Sequence, residues 1–253
     1  MKMKIEAPGI RHIPALRALW QASFDDDDAF LDDFFSAAFS PERCRCVMAD
    51  DHPAAVLYWF DCSCRGQRIA YLYAVTTAEA HRRRGLCAAL LADTHLHLQT
   101  LGYAGVILVP CSETLFGFYE KAGYRLCSRI GELRCDAGTA ACGIREIGAA
   151  EYAARRRKML PDGGVVQEGE NLRFLQTQAA FYAGDGFVLA AGREGDTLVG
   201  AELLGDTAAA PAIVRALGCA VGRFRVPGER PFAMYRQLGG AEVQPGYFGL
   251  AFD

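Results

Sequence analysis

Residues 82–87 read Arg-Arg-Arg-Gly-Leu-Cys, three guanidinium groups beside one glycine. They fall between an apolar segment, AYLYAV at 70–75, and a helix-like one, GLCAALLADTHLHLQTLG at 85–102. A helix N-terminus presents unpaired N–H groups and about half a positive charge. Glycine lets a ligand approach the backbone, and the arginine fork suits phosphate oxygens. Strand, Arg-Gly turn and helix together read as a pyrophosphate cradle. The competing reading is a solvated basic turn. The GK[ST] of a Walker loop and the three glycines of a dinucleotide fingerprint are both absent. Cys87, at the helix start beside the arginines, is expected to carry a lowered thiol pKa.

A second stretch, PCSETLFGFYEKAGY at 110–124, follows at a distance that leaves room for one helix and one strand. Together the two stretches resemble motifs A and B of the GNAT superfamily of acyl-CoA transferases. Motif A is Arg/Gln-x-x-Gly-x-Gly/Ala after an apolar strand. Residues 82–87 match it except at the last place, where Cys87 replaces a smaller residue. Motif B ends in apolar-Tyr-Glu-Lys-x-Gly-Phe/Tyr, and Phe118 to Tyr124 fits throughout. Ser112 and Leu115 stand at its Asn and Ala positions.

The resemblance implies a mixed central sheet with flanking helices, in which the strand before motif A splays from the strand GVILVP. It implies acetyl-CoA as acyl donor, held by the backbone of Arg82, Arg83, Arg84, Gly85, Leu86 and Cys87, with Ser112 and Phe118 also on the cofactor. Ala74 and Val75 would lie beside the acyl group, a backbone N–H near Val75 steadying the oxyanion. Tyr119 would protonate the departing thiolate. Ser112 also reads as a helix N-cap. No general base is assigned: Glu79, Glu113 and Asp61 are near in sequence and read equally as surface acids. The acceptor would be a small-molecule or peptide primary amine, attacking directly in a ternary complex. The alternative is a non-catalytic acyl-CoA-binding module with a C-terminal interaction domain.

Several elements must position these residues. Residues 3–6 read as a strand, IPALRALWQASF and DDDDAFLDDFFSAAF as helices, and RCRCVMAD and AAVLYWFDCSC as a hairpin around DDHP. Leu86, Leu90, Leu91 and Leu98 form the inward face of the next helix, and Gly123 stops the one after it. Asp25–Asp28 reads as a solvated helix start or an attractor of cationic amines. The order gives an α/β (α+β) domain over 1–140.

After the small-residue stretch 136–143 the chain begins again. IREIGAAEYAARRRKM repeats the strand–helix opening. LGCAVGRFRVPGERPFAMYRQLGG repeats the Leu-Gly, Val-Pro, aromatic and Gly order of LGYAGVILVPCSETLFGFYEKAGY. We read 141–253 as a smaller, degenerate GNAT-like domain, its turn too short for a phosphate cradle. It would form a wall of the acceptor pocket, with a YFGLAFD strand, or mediate homodimerisation or stability. Arg155–Lys158 reads as an exposed helix face.

Composition sets the remaining bounds. The chain has 253 residues with net charge −3, so no basic field invites nucleic acid. No signal peptide or membrane span is read, so a cytoplasmic setting is expected. Its 10 cysteines have no zinc spacing, so thiols and no metal are expected.

Overall fold

A computed structural model of the chain describes residues 3–252. It divides into two compact units. The first runs to Arg125 and regains Met234–Val243. The second comprises Leu126–Ala233 and the residues from Gln244 on. This break precedes the 140/141 boundary read from the sequence.

The first unit contains β1 (Met3–Glu6), α1 (Ile13–Gln21), α2 (Asp28–Ala37), β2 (Cys44–Ala49), β3 (His52–Cys64), β4 (Gln67–Thr77), α3 (Leu86–Thr100), β5 (Gly105–Leu108) and α4 (Glu113–Lys121). Proline near the start of α1 fits a position whose N–H has no helical partner. Asp27 caps α2, accepting from the Phe30 N–H at 2.8 Å. The β2–β3 and β3–β4 hairpins turn through Asp50–Asp51 (φ 48° and 66°) and Arg65–Gly66 (φ 49° and 77°). Two left-handed residues in succession match the twist of antiparallel strands. Leu86, Leu90, Leu91 and Leu98 of α3 are buried in one core with Leu57, Trp59, Leu72 and Val106, as the helix pattern predicts. Each buried leucine contributes about 1.5–3 kcal/mol. Gly123 ends α4 at φ 85°, also as predicted.

The second unit contains β6 (Arg125–Asp136), β7 (Ile144–Ile147), α5 (Ala149–Met159), β8 (Val166–Gln167), α6 (Glu170–Leu175), β9 (Ala180–Gly184), β10 (Phe187–Glu194), β11 (Thr197–Gly205), α7 (Ala210–Ala216) and β12 (Val221–Pro227). A last strand, β13 (Arg230–Gln237), returns to the first unit from Met234 on.

The sheet order in the first unit is β1-β2-β3-β4-β5-β13. All neighbours are antiparallel except the β4–β5 pair. In the second unit the order β7-β9-β10-β11-β12-β6 has one parallel pair, β11–β12. The second unit thus repeats the first, strand for strand. Each sheet is completed by a strand that follows the other unit in the chain. β6, read from the sequence as part of the first domain, pairs with β12 from Ile130 to Asp136. Those ladder hydrogen bonds move the boundary to 125/126.

The segment aligned with α4 is strand β13, whose Met234–Gln237 pairs antiparallel with β5. Two expectations for the second unit need correction. Among the described residues, the C-terminal segment is irregular and touches a strand pattern only at the Gly164–Tyr247 bridge. Arg156, read as exposed, is buried against Glu202, the two side chains 2% and 0% accessible. Its neighbours do face solvent, where Arg155 pairs with Glu151 at 2.7 Å and Arg157 with Glu168 at 2.5 Å.

Candidate active site

Strands β4 and β5 pair only at Ile69–Gly105, Ala70–Val106 and Tyr71–Ile107. Beyond Tyr71, β4 runs on to Thr77 while β5 stops at Leu108. The two strands part there. On its other edge β4 carries a bulge, since Val56 faces Thr76 and Tyr58 faces Tyr73. Leu57 alone stands opposite both Ala74 and Val75. Ala74 is left-handed at φ 46°, a strained conformation for alanine. A bulge frees a residue from the ladder and re-aims its backbone. Ala74 and Val75, the residues expected beside an acyl group, therefore sit half-buried at the parting of the strands with ladder bonds disrupted.

The arginine turn connects the end of β4 to α3. Arg83 and Gly85 are left-handed, at φ 60° and 76°, flanking Arg84. Such alternation turns successive N–H groups toward one side, an anion-binding concavity. Gly85 is the N-cap of α3 and brings no side-chain cap, so the first-turn N–H groups keep their donors. Arg82 ties the turn to the strand by donating from Nε to the Thr77 carbonyl at 3.1 Å. Arg82, Arg83 and Arg84 are exposed, and none pairs with a carboxylate among the described residues. Leu86 is buried in the core and anchors the first helical turn.

Cys87 corrects an expectation. Its thiol does not fall in pKa; burial pushes it up to about 11. The side chain packs on the core instead of facing the arginines, and desolvation outweighs the helix dipole. Cys87 and Cys111 both lie close enough to Tyr119 to act on its charge. Tyr119 is 6% accessible, its ring edge-on to Tyr124 at 5.6 Å and to Phe118 at 5.2 Å. Burial, with the two cysteines beside it, holds the phenol above its ordinary range. Ser112 stands at the N-cap of α4, yet its hydroxyl lies 3.0 Å from Thr114 Oγ1 and caps no backbone N–H.

Residues 5–127 match the family model described as the acetyltransferase (GNAT) domain. This segment is a GNAT domain. Comparison of the sequence with curated proteins gives no match. Among solved structures, a GCN5-related N-acetyltransferase from Kribbella flavida aligns with a TM-score of 0.71 at 16% identity, covering 94% of this chain and 72% of that one. One from Anabaena variabilis aligns at 0.71 and 15% identity, covering 94% and 73%. A tandem GNAT protein of the clavulanic acid biosynthesis pathway aligns at 0.56 and 9% identity, covering 95% and 100%. At these identities the likeness is one of fold, and the tandem case extends it over both units.

Within the GNAT domain, the carboxylates named from the sequence are dispersed. Asp61 faces Ala70 in the β3–β4 register, several residues from the bulge. It takes Arg68 at 2.9 Å and the Tyr103 hydroxyl, a structural network. Glu79 lies in the turn before the arginines and Glu113 in the first turn of α4, both exposed. The aspartate run is largely consumed by local structure. Asp26 accepts from Trp20 Nε1 at 2.8 Å, Asp27 caps α2, and Asp28 meets Arg17 at 3.2 Å.

Sequence reading passed over the aromatic face of β3 and β4. Tyr58 and Phe60, with Tyr71 and Tyr73, alternate at period two on one face of the GNAT sheet. Trp20 of α1 reaches Tyr73 at 5.5 Å and Phe34 of α2 at 4.7 Å. Thr76 Oγ1 donates to Ser23 Oγ at 2.5 Å, pinning α1 just past the bulge. The period-two aromatics were the available signal. Among the described residues, no three side chains of metal-ligating type gather, and no helix is long and apolar enough to cross a membrane.

Proposed function

We propose that the chain transfers an acetyl group from acetyl-CoA to a primary amine, a small molecule or a peptide, by direct attack in a ternary complex. The observation that carries this reading is the Ala74–Val75 bulge, set where β4 leaves β5 and followed at once by the uncapped Arg-Gly turn. The thioester arm lies between the parted strands. Its diphosphate takes the N–H groups of 82–87, with Arg83 and Arg84 as further donors. Ser112 and Phe118 flank the arm from α4.

The amine, with a pKa near 10 when free, loses its proton to water before attack. Its nitrogen bonds to the acyl carbon, and negative charge gathers on the carbonyl oxygen. A backbone N–H at Val75 receives that charge, a contribution of about 3 kcal/mol in comparable sites. The C–S bond then breaks and the sulfur keeps the electron pair. Tyr119 remains protonated at neutral pH because burial raises its pKa; it gives its proton to the departing thiolate, the new amide nitrogen loses its second proton to water, and the phenolate is reprotonated from solvent.

The test is acetyl-CoA turnover across a panel of amines, parent against Tyr119→Phe. A drop in kcat of about 10²–10⁴-fold, with CoA affinity held within a few-fold, is expected. Equal kcat in the two proteins removes Tyr119 from the mechanism. A parent that binds CoA yet releases none with any amine rejects the transferase reading itself.

A further inference from the structure

Along α3, past the cradle, lies a cavity of about 360 Å³. That volume is within the range of small-molecule sites, about 300–1,000 Å³. Leu91, Ala92, Leu96 and Leu238 give it an apolar wall. Leu96 is 66% accessible, an unusual exposure for a large aliphatic side chain on a helix of buried leucines. The cavity's polar lining is His95 and Arg236, with the amides of Gln99 and Gln237. At about 1.5 Å per residue, His95 stands roughly 15 Å along the helix from Gly85, so the polar end of the cavity is remote from the phosphate turn, while Ala88 borders the cavity nearer to that turn.

Arg236 is half-buried and its Nη1 donates to the Ala122 carbonyl. It has no carboxylate partner among the described residues, and its Nε and Nη2 make no hydrogen bond there. Two other half-buried arginines in this unit are neutralised: Arg17 by Asp32 at 2.7 Å and Arg45 by Asp93. A charge partly removed from water and left without a partner is costly.

His95 is 5% accessible, with Nε2 at 2.7 Å from the Tyr124 hydroxyl. Tyr124 is buried and has no other acceptor among the described residues, so its hydroxyl donates to Nε2. The proton of the neutral ring then resides on Nδ1, leaving a second donor beside the guanidinium. Burial and the charge of Arg236 keep that ring neutral, with a pKa down at about 4.

We propose that this cavity binds an amphiphilic carboxylate, its oxygens on Arg236 and the Nδ1–H of His95, its hydrocarbon along Leu91, Ala92, Leu96 and Leu238. One fork-shaped cation and one neutral donor match a single negative charge spread over two oxygens. A phosphate dianion would remain half-uncompensated. The apolar wall excludes a small hydrophilic anion as the preferred occupant.

The probe is decanoate, titrated below its micellar range into the full chain by calorimetry, with decan-1-ol and decylamine as controls. Saturation at one decanoate per chain is expected, with both controls at least tenfold weaker. Arg236→Gln and, independently, Ala92→Trp, which fills the cavity without touching the charge, should each weaken decanoate at least tenfold. CoA uptake should be unchanged in both. Equal binding of decanol, or undiminished decanoate binding by Ala92→Trp, overturns the proposal. So does displacement of decanoate by CoA, which would make the cavity part of the cofactor site. A parent that takes up no decanoate but dissociates from dimer to monomer on Ala92→Trp overturns it in favour of a self-association face.

Discussion

The turn after β4 and the turn after β11 occupy the same place in two units of the same topology, yet they enter the following helix in opposite ways. The first spans residues 78–85 and reaches α3 through Gly85, which leaves the helix N–H groups uncapped. The second spans residues 206–209 and reaches α7, a helix of 7 residues. There Asp206 already supplies an anion, accepting from the Ala208 N–H at 3.0 Å. Proline at the start of α7 removes another donor. The parted strands differ too. β11 and β12 separate after Gly200–Phe224. In that unit Glu202 and Arg225 flank the C-terminal segment: Arg225 donates to the Gly249 and Ala251 carbonyls at 2.9 and 3.1 Å. A methyl on Gly249 would come within 2.2 Å of Glu202 Oε1. One topology therefore leaves its turn uncapped in the first unit and is filled by its own chain in the second. Topology alone did not decide which.

The largest effect expected from breaking this contrast lies in the sealed unit. Arg156→Met leaves Glu202 buried and unpaired, which should cost about 3–5 kcal/mol in urea unfolding. Arg156→Met with Glu202→Leu should recover much of that loss. Additive losses would show that the pair does not act as a unit.

The first unit buries a neutral imidazole where the second buries an ion pair, and pH separates them. The unfolded chain takes up a proton on His95 near pH 6.5, whereas the folded chain waits until about 4. Between those values the unfolded state binds more protons, so stability present above pH 6.5 is lost as pH falls. The slope integrates to on the order of 3 kcal/mol. His95→Gln should flatten the unfolding free energy over that window, and an unchanged slope would reassign it to another group.

A third measurement concerns the turn itself. Gly85→Asp places a carboxylate and a strained residue at the cradle, and should weaken CoA at least a hundredfold by titration. Gly85→Ala, which enters open space at φ 76°, should cost only the left-handed strain, about 1–2 kcal/mol. The parent should take up one CoA per chain; two would abolish the contrast between the units. The smallest effect is on thiol chemistry. With its pKa raised to about 11, Cys87 should alkylate at pH 8 at least tenfold more slowly than exposed Cys111, read by peptide mass mapping.

Much of the first unit was legible because its signals are local. Leucine spacing, the Asp27 cap, the Gly123 stop and the Arg-Gly turn each act within a few residues. The errors share a different cause. Cys87 lies next to arginines in the chain, but its pKa follows the core it packs into. Arg156 sits in a run of basic residues, but its partner, Glu202, comes from a distant strand.

The sequence by itself determined the element order, the repeat, the anion-favouring turn and the GNAT resemblance, because helix periods, caps and glycine conformations are properties of adjacent residues. Only the tertiary structure decided which sheet β6 and β13 complete, where β4 bulges, and which charges are buried. Those outcomes depend on hydrogen-bond partners and desolvation supplied by residues far away in the chain.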